Sequence, residues 1–139
     1  MPTNTAGTNA RNTQLSVVHC IRADITFADN GRAVPFNNAI PAGSQIINAI
    51  SGVYVNTAFN AGTSNVLDIG TTADDDLYGT DLALGTKAFV TLDEAATATG
   101  VNTWYLSADT YFTCTPALSG TAATAGSAVV LICYYPPNG

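Results

Sequence analysis

The chain is short of charge, and of positive charge above all. Arg11, Arg22, Arg32 and Lys87 are its only cations against ten acids, a net charge of −6 over 139 residues. Charged residues make up 10% of the sequence, against roughly 25% in an ordinary soluble domain. Neutralising phosphates takes clustered cations, and four scattered ones do not provide them. Nucleic-acid binding and attraction to an anionic membrane surface are therefore not expected. Long apolar runs are missing too. Nothing approaches the ~18 consecutive residues of a bilayer-spanning helix, and residues 1–13 are too polar to form the apolar stretch of a secretion signal.

Acid–base chemistry is equally thin. His19 is the single histidine and Glu94 the single glutamate. His19 precedes Cys20 within a β-prone run, where neighbours point to opposite faces, so adjacency does not make them a Cys–His pair. No GxSxG, HExxH or phosphate-cradling glycine loop occurs, so no catalytic residue is assigned and His19 is expected to be a partly buried, hydrogen-bonded strand residue. Cys20, Cys114 and Cys133 are odd in number and lack CxxC spacing. With only His19 to add they fall short of a structural zinc set, and no metal or other cofactor is expected. All three sit inside β-prone segments and read as buried, reduced side chains of a protein made in a reducing cytosol.

What the sequence does have is Thr, Ala, Asn, Ser and Gly around short β-prone runs, with 47% hydrophobic residues. Residues 1–13 carry no large apolar side chain beyond Met1 and read as a flexible arm; residues 14–139 read as one domain. In 41–70, Val53, Val55, Thr57 and Phe59 alternate with Tyr54, Asn56 and Ala58 at the period of a half-buried strand. Asn60-Ala61-Gly62 supplies turn chemistry before Val66, Leu67 and Ile69, so the segment reads as a central hairpin. Gln14–Ile21 begins the strands, and Asp24–Ala28 continues or partners it. Asn30-Gly31 predicts a type I′ hairpin turn, Pro35 an edge strand or loop, and Gly52 a bulge or bend. Residues 71–85 break the β pattern, with Thr72 or Asp74 available to cap one helical turn. Lys87–Leu92 reads as a strand, Asn102–Leu106 and Asp109–Thr115 as a hairpin reversing at Ser107-Ala108, and Ser119–Gly126 as a flexible connection. Ala128–Tyr135 reads as a strand covered on both faces. About eight strands with regular turn signals predict an all-β antiparallel sandwich or barrel.

Asp74, Asp75 and Asp76, with Asp81 nearby, are the sharpest local feature. Clustered carboxylates can hold Ca²⁺, but EF-hand spacing is absent and three consecutive acids are not expected to converge. A solvated acidic loop, able to meet a basic partner, is the simpler reading. Trp104, Tyr105, Tyr111, Tyr134 and Tyr135 suggest core or interface residues first and a sugar-binding platform second.

Ile40-Pro41-Ala42-Gly43, Thr57-Ala58-Phe59-Asn60-Ala61-Gly62, Asn65 to Thr71 with Ala73-Asp74, and the apolar Val129–Tyr135 together resemble the small head-decoration, or cementing, proteins of tailed bacteriophages. The resemblance covers roughly residues 40–135. It implies a jelly-roll-like β-sandwich that trimerises, binds the major capsid protein on the outer surface of the head and bridges capsomers without catalysis. Under that reading the partner contacts fall on the arm, at Thr3, Asn4, Thr5, Asn9, Arg11 and Asn12, and on Asp74, Asp75 and Asp76. The alternative is a carbohydrate-binding β-sandwich module of a phage fibre or surface protein.

Overall fold

The computed structural model describes residues 17–93 and 104–137. Its nine strands, among the described residues, are β1 (His19–Thr26), β2 (Val34–Pro35), β3 (Gln45–Ile46), β4 (Gly52–Thr57), β5 (Ser64–Thr71), β6 (Gly79–Ala83), β7 (Phe89–Thr91), β8 (Phe112–Ser119) and β9 (Ser127–Tyr135). They form two antiparallel sheets, ordered β1-β9-β4-β7, with β3 added on β9, and β2-β8-β5-β6. The pairs are nested: β1 with β9, β2 with β8, β4 with β7, β5 with β6. The chain therefore folds as one long antiparallel ribbon wound into two layers, the jelly-roll arrangement of an all-β sandwich.

Period-two alternation builds the core. Ile21, Ala23 and Ile25 of β1 face inward with Val130 and Ile132 of β9 and Val53 and Val55 of β4. Leu67 and Ile69 of β5 and Phe112 and Cys114 of β8 meet them from the other sheet. Each fully buried side chain of this size contributes about 1.5–3 kcal/mol by removal from water. The outer face of β9 is only half-buried at Val129 and Leu131, not covered on both sides as its continuous apolar sequence suggested. Pro35 lies on edge strand β2, and Asp24 continues the first strand.

Three expected hairpins are absent from these strands. β4 and β5 lie in different sheets. Their inward residues, Val53 and Val55 against Leu67 and Ile69, oppose one another across the sandwich, and residues 58–63 carry the chain between layers. The turn-forming side chains are used locally there. Asn60 Oδ1 accepts from the amides of Thr124 and Ala125 at 2.8 and 3.0 Å, and Asn65 exchanges two hydrogen bonds with the Ala61 backbone. Thr57 is exposed because the β4–β9 register shifts between Val55 and Thr57.

At Asn30-Gly31 the turn is type II. Asn30 has φ −51° and ψ 127°, Gly31 has φ +75°, and the Arg32 amide closes on the Asp29 carbonyl at 3.0 Å. A type I′ turn would need positive φ at both positions; here a short 3-10 turn, Phe27–Asp29, capped by Thr26, precedes it and the chain passes from β1 to β2 in the other sheet. Residues 104–110 do not fold back on 109–115. They run along 40–46, with Ile46 N–H donating to Trp104 O at 2.6 Å, Leu106 N–H to Ser44 O at 2.9 Å and Thr110 paired with Ile40. The Asp109 carboxylate holds the Ala42 amide at 2.8 Å and fixes this register. Residues 102 and 103 lie outside the described residues.

Residues 79–83 form strand β6 within the segment expected to break the β pattern. Leu82 and Leu84 alternate inward although acidic and glycine neighbours disguise the period. No helical turn forms at Thr72 or Asp74. Gly52 marks a bend after the 3-10 turn Asn48–Ile50, but β3 and β4 remain in one sheet.

Candidate interaction surfaces

The cysteines depart most from expectation. Register pairs Cys20 with Cys133 across β1 and β9, and the two form a disulfide with a Cα–Cα distance of 4.1 Å. Cys20 is exposed and Cys133 buried. Three cysteines scattered in sequence did not disclose the pair because its separation of 113 residues is bridged only by strand order. Cys114 remains free and buried in the opposite sheet, where burial pushes its thiol up to about 12. A thiol so disfavoured as thiolate is a packing residue, as its sequence context suggested. His19 is exposed instead of partly buried, its ring stacked on Tyr134 at 5.8 Å between centroids.

Asp74, Asp75 and Asp76 lie in the connection from β5 to β6, exposed, with a carboxylate oxygen from each within 4.8 Å of the others. The three acids do converge, contrary to expectation, because the turn is tightly folded. Thr71 N–H donates to Asp74 O at 2.8 Å, Tyr78 N–H donates to Ile69 O at 2.8 Å, and the Asp74 and Asp75 backbone rests against Gly70, where a Cβ would collide with it. Asp68 on β5 accepts the Asp81 amide at 2.9 Å, and Asp93 accepts the Thr80 amide at 2.9 Å. The Asp68 carboxyl is raised from its ordinary value mainly by burial, with Asp81, Asp75 and Asp93 adding repulsion against the Asp81 hydrogen bond. Asp76 is raised mainly by a carboxyl–carboxyl hydrogen bond with Asp74, then by desolvation and neighbouring charge. Asp68, Asp74, Asp75, Asp76, Asp81 and Asp93 thus share one electrostatic patch at the β5–β6 end. The two ion pairs among the described residues, Arg22–Asp24 and Arg32–Asp29, involve other acids.

The aromatic residues divide. Tyr78 is buried between Trp104 and Phe112, at 5.9 and 5.0 Å, so Trp104 belongs to the core margin, and Tyr134 is buried under His19. Tyr105, Tyr111 and Tyr135 are exposed, and Tyr105 and Tyr135 are both register partners of Gln45. Cross-strand partners share a face, so the two tyrosines flank the Gln45 amide on the surface. On the outer face of the β1-β9-β4-β7 sheet, Tyr54 stacks on Phe89 at 4.2 Å beside half-exposed Val129. A shallow cleft of about 240 Å³ near Leu118 and Thr121 has no ionisable lining residue. Thr3, Asn4, Thr5, Asn9, Arg11 and Asn12 lie outside the described residues, as do Glu94 and the loop at 95–100. No helix among the described residues is long and apolar enough to cross a membrane.

No family model matches the chain. No curated protein matches it either. Among solved structures it is similar to a chain of the cyanophage Pam1 capsid asymmetric unit, with a TM-score of 0.63 and 17% identity over 99% of this chain and 100% of the other. At that identity the likeness establishes a shared fold.

Proposed function

We propose that the chain is a non-enzymatic virion structural protein that decorates the outer surface of a tailed-phage head and cements neighbouring capsomers. The observation that carries this reading is the end-to-end match in fold to a chain of a phage capsid asymmetric unit. It agrees with the sequence resemblance over residues 40–135 to head-decoration proteins. The placement of reactive side chains supports the non-catalytic part. His19 stacks on Tyr134, Cys114 is buried with a suppressed thiolate, and Cys20 and Cys133 are joined to each other.

In this reading the protein is made in the host cytoplasm and assembles as a homotrimer on the major capsid protein. Three-fold repetition multiplies modest contacts per subunit into avidity. The arm, residues 1–13, with Thr3, Asn4, Thr5, Asn9, Arg11 and Asn12, reaches a neighbour, while residues 14–139 form the single domain that sits on the shell. Asp74, Asp75 and Asp76 meet basic capsid residues, giving steering and register. Comparing particles with and without the protein under heat tests the role: earlier DNA loss from bare particles supports it, and equal resistance overturns it. A sizing measurement on the purified protein tests the trimer.

A second reading, a carbohydrate-binding module, is favoured by Tyr105 and Tyr135 flanking Gln45, since two aromatic faces around an amide suit a sugar ring and its hydroxyls. Absence of binding on a glycan array removes it.

A further inference from the structure

We propose that Cys20 and Cys133 form a redox-set clamp on the N-terminal strand, a dithiol while the chain is in a reducing compartment and a disulfide once it meets a small-molecule disulfide outside one. The first support is that the fold places the sulfurs without help from the bond. Besides Cys20–Cys133 itself, His19–Tyr134 on one side and six register pairs from Ile21–Ile132 to Thr26–Ser127 on the other join β1 to β9, and Ile21, Ala23 and Ile25 anchor β1 in the core. Loss of the bond therefore leaves the domain folded and the two thiols facing each other, so the change is reversible in the native state.

The second support is position. Among the described residues β1 is an edge strand of its sheet, with β9 its one ladder neighbour. The Cα–Cα distance of 4.1 Å marks Cys20–Cys133 as a non-hydrogen-bonded pair, so the Cys20 backbone points to the open edge. Two residues further on the same edge is closed, where Asn37 Oδ1 accepts the Arg22 amide at 2.9 Å and Asn37 N–H donates to Arg22 O at 3.0 Å. The clamp thus sits at the N-terminal end of β1, just after exposed Val17 and Val18. Local opening begins at such ends.

The third support is access. Cys20 is exposed, whereas Cys133 is buried with its Sγ 3.9 Å from the Ile50 carbonyl oxygen. In oxidation the Cys20 thiolate attacks one sulfur of oxidised glutathione, forming a mixed disulfide and releasing one glutathione thiolate. Cys133 then gives up its proton, and its thiolate attacks Cys20 Sγ, releasing the second glutathione. Two electrons pass from the protein to the glutathione disulfide, two thiols are consumed and two are formed. In reduction an external thiolate attacks the Sγ of exposed Cys20 and Cys133 leaves as thiolate. A second external thiolate then attacks the outer sulfur of the resulting mixed disulfide, releasing Cys20 as thiolate and the reductant as its own disulfide, and both cysteine thiolates take up protons from water. Cys114, buried in the other sheet, is a bystander. The clamp stands independently of the capsid reading, because it concerns only the compartment.

The test uses the full chain equilibrated in glutathione mixtures from oxidising to reducing, then denatured and alkylated to count thiols, with deuterium exchange measured in parallel. One free thiol under oxidising conditions and three under reducing conditions are expected. Exchange of peptide 17–21 should quicken at least tenfold on reduction while β4 and β5 change less than twofold. Cys20→Ser and Cys133→Ser should hold peptide 17–21 in the fast state in every buffer, and Cys114→Ser should keep the redox dependence. Three thiols in the oxidising mixture, one thiol throughout, unchanged exchange at 17–21, or loss of the whole fold on reduction would each overturn the proposal.

Discussion

The Ser51 hydroxyl accepts the backbone N–H of Cys133 at 2.9 Å and donates to the Ile47 carbonyl at 2.7 Å. This pair repairs a gap in the central ladder. β3 and β4 both lean on β9, and the 3-10 turn Asn48–Ile50 between them leaves the Cys133 amide opposite no strand backbone. A buried donor of this kind must be satisfied by something, and a serine fully enclosed at that point supplies the acceptor.

Ser51→Ala should therefore cost about 1–3 kcal/mol, the price of one buried unsatisfied amide plus a lost hydroxyl contact. Urea unfolding of variant and parent, both held in the same thiol state, measures it. A difference below a few tenths would mean that the Cys133 amide finds another acceptor.

Asn60 carries the second expectation. Its amide takes the Thr124 and Ala125 N–H groups and donates to Thr124 Oγ1 at 2.9 Å, tying the layer-crossing segment to the loop before β9. Asn60→Ala removes all three bonds and should cost about 1–3 kcal/mol. Asn60→Asp keeps the two acceptor bonds and should fall between. Thermal unfolding of the two variants gives the order; equal loss from both would place the importance in the donated bond.

That residue also shows what the sequence could and could not disclose. Alternation at Val53, Val55, Leu67 and Ile69 named the inward side chains correctly, because burial acts residue by residue at period two. It did not say whether the two runs lie side by side or face each other, since both arrangements bury the same residues. Asn and Gly signal a reversal equally well within a sheet and between sheets, which is why Asn30-Gly31 and Asn60-Ala61-Gly62 both carry a hairpin signal. The pairing of β1 with β9 joins opposite ends of the chain, and no local pattern encodes it. The exposed Asp74–Asp76 loop was legible from composition. The convergence of its carboxylates was not, because it depends on the bare Cα of Gly70 admitting the turn.

Removing the Cys20–Cys133 bond should lower stability by about 3–5 kcal/mol. Closing a loop of 113 residues restricts the unfolded chain by close to 5 kcal/mol in the chain-entropy account, and native adjustments commonly reduce the gain. Guanidinium unfolding of Cys20→Ser with Cys133→Ser against the oxidised parent measures it. The slope with denaturant should also rise, because the unfolded chain becomes less compact. A loss under 1 kcal/mol would mean that the unfolded chain is already constrained near those ends.

The acidic patch should make the protein more stable as the pH falls from neutrality toward the carboxylate range. Asp68 and Asp76 both have folded-state pKa values raised above the ordinary 3.8, Asp68 mainly by burial and Asp76 mainly by its hydrogen bond to Asp74. A carboxyl shifted upward binds its proton more tightly in the folded chain than in the unfolded one. The folded state then holds more protons between 3.8 and the raised value, so stability falls as pH rises through that window and the penalty persists above it. Acidification through the raised value relieves that penalty. Other carboxylates titrate in the same range, so the patch is isolated by difference. The melting temperature of Asp68→Asn with Asp76→Asn should exceed that of the parent at pH 7, and the gap should close as the pH approaches 4. Added salt at pH 7 should narrow the gap too, by screening repulsion among Asp74, Asp75 and their neighbours. A variant that melts below the parent at pH 7, or a gap that widens on acidification, would show that these carboxylates stabilise the turn as charged hydrogen-bond acceptors more than they strain it by repulsion.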